Sequence, residues 1–211
     1  AKQGVMLRNF GQAVIRATAG KRVHGTGSIP GGMNKHLGAA DRALLRADAP
    51  QVLAWARQAV TIVKQLHAAQ PALYNGFATF RAPMMSLVAN DGGMDLYDGV
   101  IRVRDAAGRI IVDGVADQDY LDLIEEEVKP WSYMKFPYLK SLGPEAGWYR
   151  VGPLARVQNC DFIPSPLAEA ERREFVAWGQ GEPVHATLAY HWARMIELLH
   201  AAEVIGTLLD D

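Results

Sequence analysis

The chain holds a single cysteine, Cys160, and six histidines, at positions 24, 36, 67, 185, 191 and 200. Thiols and imidazoles are the ligands of nickel, iron and zinc, but one thiol cannot furnish such a site alone. No Cys-x-x-Cys pair exists and no two histidines stand four apart, so a metal would need ligands converging from distant segments. The glycine-rich run Gly25-Thr-Gly-Ser-Ile-Pro-Gly-Gly32 does not match a phosphate cradle. A P-loop closes on Gly-Lys, whereas Met33 follows Gly32, and the dinucleotide fingerprint would need a third glycine where Pro30 stands. The remaining chemistry is ionic. Arg156 and Arg194 both stand among apolar residues, and a guanidinium so placed needs a carboxylate or carbonyl partner. Glu197, three residues beyond Arg194 on one helical face, is a ready partner, which predicts a structural ion pair tying loop to helix. No activated nucleophile or acid–base pair is visible, so no catalytic residue and no metal ligand is assigned.

Helices must position these groups. Met6, Phe10, Ala13, Val14 and Ala17 form an apolar stripe of helical period, and Gly20 ends it. The glycine run then reads as a loop. A short helix is expected over about 39–47, and Asp48 with Pro50 opens a stronger one that Pro71 closes. Its buried face should be Val52, Trp55, Ala56, Ala59, Ile62, Val63 and Leu66. Residues 71–99 read as irregular. Val100-Ile-Arg-Val-Arg104 and Arg109-Ile-Ile-Val112 flank Asp105-Ala-Ala-Gly108, a hairpin signal. Asp117 is read as capping a helix through Leu121, Ile124 and Val128, with Glu125, Glu126 and Glu127 on its solvated face. Residues 129–164 read as a second irregular run whose aromatic residues, among them Trp131, Tyr133, Phe136, Tyr138, Trp148 and Tyr149, pack beneath it. Ser165-Pro166 opens a helix ending near Trp178. The last helix covers about 184–209, with Leu188, Trp192, Met195, Leu199 and Ala202 on one face. No repeat or low-complexity linker marks a boundary, so residues 1–211 read as a single, mainly α domain with long irregular loops and a small β-hairpin.

Charge and composition narrow the function classes. The formal net charge is -1, with basic residues dispersed among acids, which argues against a nucleic-acid surface. No run of 18 apolar residues predicts a membrane span, and no secretory signal is visible at the N-terminus. One cysteine suits a reducing, cytoplasmic setting.

Three stretches carry a resemblance. They are Gly20-Lys-Arg-Val-His-Gly-Thr-Gly-Ser-Ile-Pro-Gly-Gly32, Trp131-Ser-Tyr-Met-Lys-Phe-Pro-Tyr138 and Tyr149-Arg-Val-Gly-Pro-Leu-Ala-Arg156, followed by His191-Trp-Ala-Arg-Met-Ile-Glu197. In that order they resemble the middle of a [NiFe]-hydrogenase large, catalytic subunit, of the cytoplasmic NAD(P)-linked branch whose first motif reads His-Gly-Thr. The resemblance implies a central fragment with the helical core of that subunit, lacking the Cys-x-x-Cys pair near each end. It implies reversible H2 oxidation coupled to NAD(P), with a Ni–Fe centre in the parent and iron–sulfur clusters, flavin and nucleotide in partner subunits. The implied partners are diaphorase subunits and a small iron–sulfur subunit. Carried over by residue, Arg22, His24, Gly25, Gly27, Pro30, Gly31 and Gly32 would face the small subunit, with His24 beside its proximal cluster. The fragment itself is expected to be metal-free, inactive and prone to self-association through apolar surface. The rival expectation is a non-catalytic scaffold related to the quinone-site subunit of respiratory NADH dehydrogenase. A blander one is an all-α interaction domain with chance similarity.

Overall fold

The computed structural model describes residues 2–210, which form two compact units. The first comprises residues up to Ile62 together with Leu198 onward, and the second spans Val63–Glu197.

The first unit opens with α1 (Lys2–Ala19). Phe10 and Ala17 of the expected stripe are buried, and Gly20 ends the helix at φ +80°, its N–H donating to Arg16 O at 3.0 Å. The left-handed turn satisfies a carbonyl of the last helical turn, as glycine does at helix ends. The glycine loop contains a minimal antiparallel hairpin, β1 (Ser28–Ile29) and β2 (Gly32–Met33), with Gly31 at φ +89° and Gly32 at φ +147° in and beside its turn. Next comes α2 (Ala39–Ala69), which is one helix and not two, because Pro50 lies inside it. Proline removes the bond to the carbonyl four residues back, but here the apolar stripe is continuous through the site. Leu45, Val52, Ala56, Val60 and His67 are buried at spacings of helical period. That stripe is rotated from the predicted one, and Ile62 and Leu66 stand exposed. The final turn of α8 (Ala189–Asp210) is held within this unit by arginines: Arg42 Nε donates to Leu209 O at 2.8 Å and Arg46 pairs with Asp210 at 2.7 Å. Cations at a helix C-terminus complete its orphan carbonyls and oppose its dipole.

The second unit contains α3 (Pro71–Gly76) and an antiparallel sheet ordered β3 (Met84–Val88), β4 (Val100–Arg104), β5 (Ile110–Ala116). The predicted hairpin is present, and Gly108 takes φ +84° in its turn. Strand β3 lies in a stretch read as irregular. The helix expected through Val128 is a correction: after α4 (Tyr120–Leu123) the chain becomes β6 (Ile124–Val128), paired antiparallel with β7 (Lys135–Leu139). Leu121, Ile124 and Val128 fit a helical period, and glutamate favours helix, yet the cross-strand pairing wins. Glu126 meets Lys135 at 3.0 Å, and Glu125 stands opposite Tyr138. Helices α5 (Gly143–Ala146) and α6 (Pro153–Asn159) follow, then α7 (Pro166–Trp178), which lies where Ser165-Pro166 and Trp178 placed it. Helix α8 begins at Ala189, later than the expected 184. The aromatics of 131–149 are the second correction, since Trp131, Tyr133 and Trp148 are more than half exposed and do not pack beneath a loop. The described residues are thus mainly helical, with three small sheets where one hairpin was expected. Ile101, Val103 and Leu139 are buried together, with Met85, Leu87 and Tyr149 packed against them.

Candidate functional site

The glycine loop was expected to let backbone approach a partner. The structure shows that its glycines serve two local purposes. A Cβ on Gly25 would sit 2.7 Å from Ala19 Cβ, and one on Gly27 would sit 3.2 Å from Ala19 Cα and Thr18 O. Both contacts lie at the end of α1, so these glycines fold the loop back on its own helix. Thr26 N donates to Ala19 O at 3.1 Å, and Asn34 N to Gly27 O at 2.6 Å, closing the loop on itself. Gly31 and Gly32 have open space around them, and their positive φ makes the hairpin turn possible. The loop's side chains point elsewhere. Arg22, His24 and Pro30 are exposed, as are Val23, Ile29 and Met33, while Gly27 is buried. His24 takes φ +49°, a left-handed conformation uncommon for a side chain with a Cβ. The loop therefore offers a rigidly anchored tip with apolar and cationic side chains.

The ionic prediction is half right. Glu197 does pair, but with Arg156: Nε and Nη2 donate to its two carboxylate oxygens at 2.5 and 3.0 Å. This bidentate pair ties α6 to α8. Arg194, the expected partner on the same helix, is exposed. Two-point geometry from another helix outweighs a flexible neighbour three residues away.

A larger network went unforeseen. Arg102 is buried and gives two bonds to Asp113, at 2.9 and 3.1 Å, and one to Asp161 at 2.9 Å. Arg104 reaches Asp161 at 3.1 Å. The carboxylate of Asp113 is held below its usual range, chiefly by the Arg102 bonds. Further along, Glu169 accepts from Arg172, Arg173 and the Ile163 N–H at 2.7–2.8 Å. Burial is the strongest influence on Glu169 and pushes its pKa up, but the three donors together outweigh it and hold it at about 2. The signal for the network was present in Val100-Ile-Arg-Val-Arg104, where strand alternation puts Arg102 and Arg104 on one face and Ile101 and Val103 on the core face.

This chemistry is structural. Among the described residues no three His, Cys, Asp or Glu side chains come together to hold a metal. Cys160 is buried, its Sγ faces Val157 O at 3.6 Å, and burial pushes its thiol up to about 12, far from the thiolate that metals bind. A Ni–Fe centre does not fit these donors. His67 is instead an aromatic-cluster residue, stacked on Tyr74 at 5.4 Å, edge-on to Trp178 at 4.5 Å and bonded to Asn75 at 2.8 Å. No helix among the described residues is long and apolar enough to cross a membrane.

No family model matches the chain. It is 42% identical over its whole length to the beta subunit of the NAD-reducing hydrogenase HoxS of Cupriavidus necator, covering 44% of that protein. It is 38% identical, again over its whole length, to one subunit of the F420-non-reducing hydrogenase vhu of Methanocaldococcus jannaschii, covering 50%. A chain in a crystal structure of NAD+-reducing [NiFe]-hydrogenase in the H2-reduced state superposes with a TM-score of 0.95 at 48% identity, over all of this chain and 47% of that one. A [NiFeSe]-hydrogenase chain from Dm. baculatum shares the fold at a TM-score of 0.65 and 16% identity. The chain spans about half the length of the curated relatives it matches. These findings correct the narrower expectation of a central fragment of the large, catalytic subunit of the NAD(P)-linked branch. The relatives belong to NAD-reducing and F420-non-reducing enzymes alike, and the first of them is the beta subunit of its enzyme. Within the first motif, Gly25 and Gly27 fold against Ala19 at the end of the chain's own helix. Over its full length the chain is similar to hydrogenase subunits.

Proposed function

We propose that this chain is part of a hydrogenase subunit working in a multisubunit, cytoplasmic assembly that oxidises H2 reversibly and passes the electrons to NAD(P). The observation that carries this reading is the match at 48% identity and TM-score 0.95 to a chain of an NAD+-reducing [NiFe]-hydrogenase. In this reading the Ni–Fe centre, the iron–sulfur clusters, the flavin and the nucleotide all lie outside the 211 residues. The chain's own residues supply form. The Arg156–Glu197 pair and the Arg102–Asp113–Asp161 network fix the framework, and the loop of Arg22, His24, Gly25, Gly27, Pro30, Gly31 and Gly32 meets a small iron–sulfur subunit. The loop's anchored base and exposed tip support that role, because a preorganised surface loses little entropy on docking. Diaphorase subunits complete the path to NAD(P). A donor near an iron–sulfur cluster stabilises its reduced form and raises its potential. His24→Ala should therefore lower the potential of the nearest cluster in the assembled complex, with Arg22→Ala acting in the same direction.

The test is to purify the assembly through a tag on this protein and assay H2-dependent reduction of NAD+ and NADP+. Activity with either nucleotide is expected. An assembly that contains the chain and reduces neither nucleotide nor a dye with H2 overturns the proposal and favours the non-catalytic scaffold.

A further inference from the structure

A cavity of about 300 Å3 opens on the second unit and is lined wholly from residues 85–156. Met85 and Leu87 of β3 and Ile101 of β4 line it, together with Ile124 at the start of β6. Leu87 pairs with Ile101 in the register, so strand alternation puts these side chains on the apolar face of the sheet. Leu96, Tyr120 and Val151 complete the apolar lining, and each is about half exposed, so apolar surface continues from the cavity to its mouth. Next to them in the chain, Tyr97 is 95% exposed and Leu121 62%. A lone exposed apolar side chain means little, but five around one apolar cavity mark a binding surface.

The mouth is acidic. Asp95 and Asp117 both line the cavity, which brings two aspartate-rich loops to one opening. Asp98 is tied to the first of them, its N–H donating to Asp95 Oδ1 at 3.0 Å, and Asp119 ends the short turn that Asp117 begins. The carboxylates of Asp98 and Asp117 each accept from the next residue's N–H, at 2.8 and 2.9 Å. Among the described residues neither of them, nor Asp119, meets a cation. The one basic residue of the lining, Arg156, is already neutralised by Glu197.

We propose that this cavity docks a segment of a partner protein that inserts one apolar side chain, of leucine or phenylalanine size, flanked by lysine or arginine. The apolar lining selects the inserted side chain, and the aspartates without countercharge select the flanking cations. A small amine that merely filled the cavity would leave Tyr97 and Leu121 in water. A chain segment covers both, and tyrosine is enriched among the residues that carry binding energy at such contacts. The site uses no residue of the glycine loop.

Carbodiimide cross-linking of the affinity-purified assembly tests the assignment, because it joins a carboxylate to a lysine amine in direct contact and adds no spacer. Asp98, Asp117 or Asp119 should link to a lysine of another subunit, close in sequence to an apolar residue. Two variants test the same contact without chemistry. Asp98→Asn combined with Asp117→Asn keeps the bonds to the Gly99 and Gln118 N–H groups and removes two charges. Leu96→Arg sets a cation at the mouth on a half-exposed position. At low ionic strength, where exposed charges act most strongly, each should reduce recovery of one subunit by about fivefold or more, with an unchanged melting temperature. Where the partner uses arginine no cross-link forms, and the loss of that subunit from both variants decides. Full retention of every subunit in both variants overturns the proposal. So does a cross-link whose lysine belongs to a second copy of this chain or to a further segment of its own polypeptide.

Discussion

Glu169 is the single carboxylate on which the second unit's stability should most depend. It stands in the first turn of α7, where a negative charge is favoured, and gathers Arg172, Arg173 and the Ile163 N–H. Its pKa falls from an ordinary 4.5 to about 2 in the folded chain. A group whose folded pKa is depressed stabilises the fold above its unfolded pKa and loses that contribution as pH falls through the folded value. From 4.5 to about 2 this amounts to about 3 kcal/mol at neutral pH. Glu169→Gln keeps the shape and removes the charge, so it should destabilise the protein by about 2–3 kcal/mol at pH 7. At pH 3 the wild-type carboxyl has lost over half of its advantage, and the gap should narrow to about 1–1.5 kcal/mol. Urea unfolding of both proteins at pH 7, 5, 4 and 3, followed by far-UV circular dichroism, reads the gap directly. A gap that stays constant with pH, or one below about 0.5 kcal/mol at pH 7, refutes the reasoning, because only a charge-dependent contribution produces the narrowing.

Other perturbations have equally defined outcomes. Gly27→Val forces a branched side chain against the Ala19 and Thr18 backbone and should cost about 2 kcal/mol or more, whereas Gly38→Ala, with nothing near its Cβ, should be neutral in the same melting assay. Cys160, buried and with its thiol pushed up to about 12, should resist thiol reagents in the native protein at pH 8 and react at once in urea. Glu197→Gln should destabilise the protein by about 1–3 kcal/mol by leaving Arg156 without its countercharge, while Arg194→Ala should change stability by less than about 0.5 kcal/mol. The isolated 211-residue chain exposes Trp131, Tyr133, Met134, Phe77 and Phe80 and should sediment as a dimer or larger species, which a strictly monomeric profile at high concentration would contradict.

Elements whose signal is local were legible in the sequence. Gly20 ending α1, the Asp105–Gly108 turn, and Ser165-Pro166 opening α7 each depend on residues within a few positions of one another. What the sequence hid depends on distant neighbours. Helix α2 runs through Pro50 because its buried stripe continues on both sides, and the Ile124–Val128 segment is a strand because Lys135–Leu139 pairs with it. Arg156 and Glu197 were both singled out as ion-pair residues, but the choice of partner follows from how α6 meets α8, which no spacing along the chain encodes. The glycine loop was recognised as a close-approach element, while the surface it approaches, Ala19 of its own helix, became visible only in three dimensions.

We propose above that this protein works inside a hydrogenase assembly and meets an iron–sulfur partner through the tip of its glycine loop. Ile29→Glu places a charge on that exposed tip without touching Ala19 or the hairpin register, and so should leave the protein's own melting temperature unchanged. Native mass spectrometry of the tagged, affinity-purified assembly is the most direct measurement. An iron–sulfur subunit should co-purify with the wild-type protein and be lost from Ile29→Glu. An assembly of unchanged composition and cluster content in Ile29→Glu would contradict it.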